Sequence, residues 1–305
     1  RLILNTKINT PDLTSHKPYT NVKSHPQHHV SPHVLLLGGS GKIAQLLTPM
    51  LLQRSWSVTS VIRNPEQVAG LEKLGEGQKG KLNVLVRSVE DVKSEAQAKS
   101  ILDEVKPSYV VWSAGAGGKG PPERTFAVDR DAATYFIRAS AATPSITKFV
   151  MISFLGSRLS DAPWWTAEMK QQQQQMKQGP LAKYYEAKVA ADQVLYEEGK
   201  KRGGDFAAIC LRPGTLSEEP VGKVSLGKTD KYGGVKASRA SVAHLTALLL
   251  EREGVRSCWL DMLDGEEEPD KAVERCVREG VDCAVGGAVL LKQSQACTAP
   301  LLKFS

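Results

Sequence analysis

Between residues 34 and 278, short apolar runs alternate with helical stretches, and no other feature of the chain narrows its fold as far. The runs fall at residues 34–37, 58–62, 82–86, 109–112, 149–153, 206–211 and near 258–262. The first stretch between them carries Ile43, Leu46, Leu47, Met50 and Leu51, spaced three and four apart as on one face of a helix. Further helices are predicted from Pro65 and over residues 91–104, 127–142, 181–198, 240–251 and 270–278. Strands that are apolar throughout suit a sheet covered on both faces. One-for-one alternation with helices predicts an α/β fold, a doubly wound parallel sheet in a single domain.

Three stretches stand outside this pattern. Residues 1–32 are rich in Pro, His, Ser, Thr and Asn, and set Arg1, Lys7, Lys17 and Lys23 against Asp12. They are expected to be a disordered or targeting segment. The domain is expected over residues 33–286, with a small substrate-side portion at its C-terminal end, and residues 287–305 read as an irregular tail. Residues 156–180 hold Trp164, Trp165 and the glutamine run from Gln171 to Gln175. This insertion reads as a flexible polar excursion, or as a lid whose tryptophans offer an aromatic face.

Composition excludes some partners. No apolar run approaches the roughly 18–20 residues of a membrane span. The net charge of +7 is spread thinly, without the basic stripe and interleaved aromatics of a single-strand nucleic-acid binder. It suits an anionic small molecule. Cys210, Cys258, Cys276, Cys283 and Cys297 contain no C-x-x-C pair, and an odd number cannot all pair within one chain. A reducing compartment follows, cytoplasmic, or mitochondrial if residues 1–32 are a presequence. His16, His25, His28, His29 and His33 cluster with almost no acidic or cysteine partners, so no metal site is expected. A monomer or homodimer is expected.

The densest chemical signal is Leu37-Gly38-Gly39-Ser40-Gly41-Lys42-Ile43-Ala44, which leaves the first predicted strand and opens the first predicted helix. In that context Gly38 permits a tight turn, Gly41 lets a pyrophosphate approach the backbone, and Ala44 lets the helix pack closely. The N–H groups of the loop, through Lys42 and Ile43, and the positive helix end favour an anion. This is the dinucleotide-binding arrangement of the Rossmann fold. A nucleoside-triphosphate loop is excluded, because Ile43 stands where its Ser or Thr must be and Leu36 where its first Gly must be. Sites for NAD usually place an acid about 20 residues after the loop, to hold the ribose hydroxyls. Here Arg63 follows the second strand, and the first acid is Glu66. A guanidinium pairs a 2′-phosphate in a fork that a carboxylate would repel, so NADP(H) is expected over NAD(H).

Further motifs follow in order. They are Ser113-Ala114-Gly115-Ala116-Gly117 after the fourth strand, Val128-Asp129-Arg130-Asp131 in the next helix, and Val150-Met151-Ile152-Ser153 on the fifth strand. Tyr184-Tyr185-Glu186-Ala187-Lys188, Leu211-Arg212-Pro213-Gly214 and Ser238-Arg239-Ala240-Ser241-Val242-Ala243 complete the set. Over residues 33–286 the chain resembles the atypical or extended branch of the short-chain dehydrogenase/reductase superfamily, and its fungal NAD(P)-binding members in particular. The resemblance implies that Ser113, Ala114 and Gly115 line the cofactor and that Pro213 and Gly214 precede the nicotinamide side. Ser88 and Val89 would meet the adenine, with Ser88 standing where members often carry Asp. The classical branch's Asn in the fourth helix has no clear counterpart. The implied catalytic set is Ser153, Tyr184 and Lys188, Lys188 also holding the nicotinamide ribose.

The implied chemistry is hydride transfer between nicotinamide C4 and a carbonyl or alcohol. Tyr184 would exchange the proton, and Lys188, one helical turn on, would lower the pKa of its phenol. Ser153 would hold the substrate oxygen. Tyr185 has Val189 rather than a lysine four residues on. His244 reads as a packed or surface helix residue, and Asp261, Asp264 and Glu266–Glu268 as a solvated turn. An NADP(H)-dependent oxidoreductase acting on a small carbonyl or alcohol is the expected function. A cofactor-binding redox sensor and an epimerase or isomerase that retains its cofactor are the alternatives.

Overall fold

A computed structural model describes residues 31–117, 121–231 and 234–284. Its first half runs β1 (His33–Leu37), α1 (Lys42–Gln53), β2 (Ser57–Ile62), α2 (Val68–Glu72), β3 (Leu82–Val86), α3 (Glu95–Val105) and β4 (Tyr109–Trp112). Next come α4 (Pro122–Thr125), a π-helical stretch Phe126–Ala132, α5 (Ala133–Ala141), β5 (Lys148–Ile152), α6 (Ala167–Gln178) and α7 (Ala182–Arg202). The last elements are β6 (Ala207–Pro213), β7 (Thr215–Ser217), β8 (Val224–Gly227), β9 (Lys236–Ser238), α8 (Arg239–Glu251), β10 (Cys258–Asp264) and α9 (Pro269–Glu279).

Eight strands form one sheet in the order β3-β2-β1-β4-β5-β6-β10-β8. All neighbours pair in parallel except β8, which runs antiparallel along β10. The α/β doubly wound sheet read from the sequence is therefore present, with one antiparallel edge strand that the alternation did not reveal. Short β7 and β9 pair separately in parallel. Neither these strands nor β8 carries an apolar run long enough to announce itself.

Side chains on β1 divide between two cores, as alternation along a strand requires. Val34 and Leu36 join Leu47, Leu51, Leu245 and Leu249 from α1 and α8. Leu35 and Leu37 join Ile101, Phe136 and Leu195 from α3, α5 and α7 on the other face. All four β1 residues are fully buried. Chain direction across the sheet reverses between β1 and β4, and a crevice at such a reversal is where open α/β sheets bind ligands. Among the described residues no helix is long and apolar enough to cross a membrane.

The loop after β5 is held by buried charge. Arg212 of β6 stands opposite Asp261 of β10 in the parallel register, and its Nε donates to the carboxylate at 2.8 Å. Its other nitrogens donate to the carbonyls of Leu155 at 2.7 Å and Ser157 at 2.6 Å. Arg158, also fully buried, donates to the carbonyl of Cys283 and lies against the rings of Trp164, Trp165 and Trp259. Burial and the neighbouring Arg212 pull the Arg158 guanidinium down to about 10.

Two sequence expectations change here. Asp261 and Asp264 lie in β10, and Asp261 is fully buried against Arg212 rather than in a solvated turn. Residues 156–180 are more than a flexible excursion, because they contain α6, opened by Thr166, whose hydroxyl accepts from the Met169 N–H. Gln173 of the glutamine run is buried and donates to the Gly156 carbonyl at 2.8 Å. Trp165 packs inward on Ala162 and Met169, so it offers no aromatic face, whereas Trp164 is only partly buried. Predictions for residues 1–30 and 287–305 fall outside the described residues.

Replacing Asp261 by Ala leaves the buried Arg212 guanidinium without its carboxylate, and is expected to cost about 3–5 kcal/mol of stability. A urea unfolding curve checks this; a loss below about 1 kcal/mol would show that the cluster is not held together by charge.

Candidate functional site

At the end of β1 the chain turns through Gly38 at φ +83°, a left-handed conformation that glycine alone adopts without strain. A Cβ on Gly38 would lie 2.6 Å from the backbone of Ala114, and one on Gly39 would lie 1.7 Å from the Ser60 hydroxyl. The loop is therefore pressed onto the neighbouring strand ends. The N–H of Gly39 donates to Val61 and that of Gly41 to Gly38, each at 2.9 Å. Both are committed within the protein, so the donors left for an anion are those of the first turn of α1. Gly41 is the N-cap of α1, and no side chain caps this helix. Ala44 is fully buried against the sheet, as its size predicts.

A cleft of about 300 Å³ opens in front of this turn. Gly38, Ser40 and Gly41 line it from the loop, Arg63 from the end of β2, and Ser88 and Val89 from the end of β3. Ser113, Ala114 and Gly115 line it from the segment after β4. The remaining sequence-predicted residues lie elsewhere. Gly39 sits beneath the turn, Ile43 is in the core, and Lys42 reaches outward to Glu218 at 2.6 Å. Pro213 ends β6 and Gly214 follows it; the Pro213 carbonyl accepts from Leu155 and the Gly214 N–H donates to the Met262 carbonyl.

The cleft also holds residues that the sequence did not mark as site residues: Asn64, Gln67, Arg87, Glu90, Arg124 and Val128. Arg63 donates to Glu90 Oε1 at 2.5 Å, and Arg124 donates to the same oxygen at 2.8 Å. Burial pushes the Glu90 carboxyl up, but Arg124 and Arg63 outweigh it and hold the group below the usual carboxylate range. A helix N-terminus and a rim of guanidinium groups at the reversal of a parallel sheet fit a dinucleotide with its phosphates.

Ser153, Tyr184 and Lys188 come together beyond the end of β5. Lys188 is fully enclosed; its ammonium donates to the Ile152 carbonyl at 3.2 Å and feels Tyr184, Asp129 and Asp192. Burial disfavours that charge, yet the phenol and the two carboxylates outweigh it and raise the Lys188 pKa. Tyr184 stacks at a tilt on Phe154, ring centroids 5.2 Å apart. Its pKa is raised, first by burial and then by Asp129 and Asp192, against the downward pull of Lys188. The sequence expectation that Lys188 lowers this phenol is thus corrected: its pull is present, but desolvation is larger.

Two acids absent from the sequence-level site complete the cluster. Asp192, one turn beyond Lys188 on α7, accepts the Ser153 hydroxyl at 2.6 Å. Ser153 thereby commits its single proton to Asp192 and offers a ligand only its lone pairs. Asp129, in the π-helical stretch, accepts the Ala116 N–H at 2.8 Å. Burial raises its carboxyl, while Lys188, that N–H and Arg124 draw it down. Asp129 thus lies between the cleft and the Lys188 cluster. Its place within a quoted motif was a signal; for Asp192 the spacing from Lys188 was the only one. The Tyr185 hydroxyl donates to the Arg158 carbonyl at 2.5 Å, which separates it from the cluster, and His244 faces Asp270 at 3.7 Å.

Residues 38–253 match the family model described as NAD(P)H-binding. The chain is 32% identical over 251 residues to a UPF0659 protein of Schizosaccharomyces pombe, covering 81% of this chain and 95% of that one. It is 28% identical to a Bacillus subtilis protein named as an uncharacterized sugar epimerase, covering 79% and 99%. Among solved structures, a putative NAD-dependent epimerase/dehydratase from Bacillus halodurans matches with a TM-score of 0.63 at 24% identity, covering 80% and 100%. The oxidoreductase ylbE of Lactococcus lactis matches with a TM-score of 0.60 at 19% identity, covering 81% and 97%.

Gly38→Ala forces an alanine into the left-handed region against the Ala114 backbone, and is expected to cost at least about 1–2 kcal/mol. Urea unfolding together with dinucleotide titration checks it. Unchanged stability and binding would show that the turn tolerates a side chain and is no tight cradle.

Proposed function

The chain belongs to the NAD(P)H-binding family, and from that premise we propose that it is an NADP(H)-dependent oxidoreductase that reduces a small carbonyl compound or oxidises the matching alcohol. One observation carries the cofactor preference: the cleft is rimmed by Arg63, Arg87 and Arg124, and no acid stands at the end of β2. Guanidinium groups there favour a 2′-phosphate, whereas a ribose diol would call for a carboxylate.

When bound, the nicotinamide supplies the hydride. The protein's share is the proton and its placement. The Tyr184 phenol, held above its ordinary value of roughly 10, stays protonated through neutral and mildly alkaline pH and acts as the acid toward the substrate oxygen. Lys188 keeps a positive charge beside it, which eases loss of that proton as negative charge develops. Ser153, its proton directed to Asp192, accepts a hydrogen bond from a substrate hydroxyl or from Tyr184.

The second reading, an epimerase that retains its cofactor, is favoured by the Bacillus subtilis relative, which is named a sugar epimerase. It predicts cofactor that copurifies with the protein and no net consumption of added NADPH.

Parallel titration of the cofactor-stripped protein with NADPH and NADH, followed by tryptophan quenching, tests the binding half. Tighter NADPH binding that inverts in Arg63→Glu is expected; equal affinity for both would remove the arginines from the argument. Tyr184→Phe is expected to retain binding and lose about 100-fold or more in reduction rate. With Tyr184 raised, the acid stays loaded as pH climbs, so the reduction rate is expected to hold level to about pH 9. A fall centred near pH 7 would assign the proton to another group.

A further inference from the structure

Arg63 and Arg124 come from distant parts of the chain, one at the end of β2 and the other on α4, and both donate to the same atom, Glu90 Oε1. Two guanidinium groups aimed at one oxygen mark the position of an anion. Without negative charge between them they would repel each other. A third cation, Arg87, lines the same cleft, and its distance to Glu104 is 3.8 Å, too long for a direct hydrogen bond. The position lies at the β2 end, where this fold recognises the adenosine ribose.

We propose that the Glu90 carboxylate occupies the place of a cofactor 2′-phosphate, and that binding of a 2′-phosphorylated dinucleotide displaces it and takes over Arg63 and Arg124. This rests on the NADP(H) reading and deepens it. Glu90 is an internal counter-ion: it keeps the two arginines converged before the ligand arrives and competes with the ligand for them.

Three observations make the exchange feasible. The Arg63 side chain is 59% exposed, that of Arg124 33% and that of Glu90 27%, so water screens both pairs and neither is strong. A phosphate monoester carries nearly two negative charges and three acceptor oxygens, against one charge and two oxygens on the carboxylate. Glu90 follows β3 in a short 3₁₀ turn rather than within a strand, so its side chain can swing away without breaking the sheet. A nucleotide lacking the 2′-phosphate has nothing to displace Glu90 with and leaves the arginines where they are.

The test uses the full chain and isothermal titration with adenosine 2′,5′-bisphosphate and with 5′-AMP, which share the adenosine and differ at the ribose 2′ position. Glu90→Gln removes the competing charge. It is expected to tighten the bisphosphate about tenfold, while 5′-AMP changes by less than about twofold. Arg124→Gln, which leaves Glu90 with Arg63 alone, is expected to weaken the bisphosphate about tenfold and again spare 5′-AMP. If wild type prefers the bisphosphate but Glu90→Gln weakens or fails to improve it, the exchange proposal falls and the NADP(H) reading stands. If wild type shows no preference but Glu90→Gln acquires one, Glu90 does occupy the phosphate's place and the NADP(H) reading of the native protein falls. No preference in either protein overturns both.

Discussion

A parallel sheet covered on both faces has polar backbone to offer only at the ends of its strands, and that constraint arranges everything else in this molecule. Val34, Leu35, Leu36 and Leu37 are wholly enclosed, so β1 reaches the cleft only past Leu37. The order of strands reverses there, and the glycine turn and the segment after β4 both line the cleft. The same edge receives the ends of β2, β3 and β5. Arg63, Ser88 and Ser153, separated by up to ninety positions in sequence, lie at the same edge of the sheet because each comes just after the end of a parallel strand.

This explains which parts were legible in the sequence. The glycine turn needs no tertiary information: strand, Gly38, Gly41 and helix follow one another within a dozen residues. Arg63 and the Tyr184–Lys188 spacing are likewise local. Glu90 and Arg124 were not legible, because an ion pair between a β3 turn and α4 depends on how the two approach. Asp261 was misread for a related reason. In sequence it neighbours Asp264 and three glutamates, which suggests water, yet the strand register sets it opposite Arg212. The α6 insertion hid its packing behind five glutamines, of which Gln173 turns inward to satisfy the Gly156 carbonyl.

The interior beside the cleft is unusual in how much charge it encloses. Lys188 is surrounded by Asp129, Asp192 and the Tyr184 phenol, and each helps to keep its ammonium charged against the pull of burial. The two carboxylates also act on Tyr184, in the opposite sense to Lys188. The protonation of the phenol is therefore set by burial together with three neighbours, and the Tyr-x-x-x-Lys pair names only one of them. Asp129 touches the backbone after β4 through the Ala116 N–H, so the balance is mechanically tied to the segment lining the cleft.

The clamp on the loop after β5 bears on how the protein is made. Leu155 and Ser157 are held from β6, Arg212 is neutralised from β10, and Arg158 is anchored on Cys283. The glycine turn lies early in the chain, and the residues that line the cleft in front of it end at Val128. The loop next to Ser153, by contrast, has no resting place until the last strand and the turn around residue 283 have emerged from the ribosome. During synthesis the residues that line the cleft therefore emerge before those that hold the loop after β5 in place.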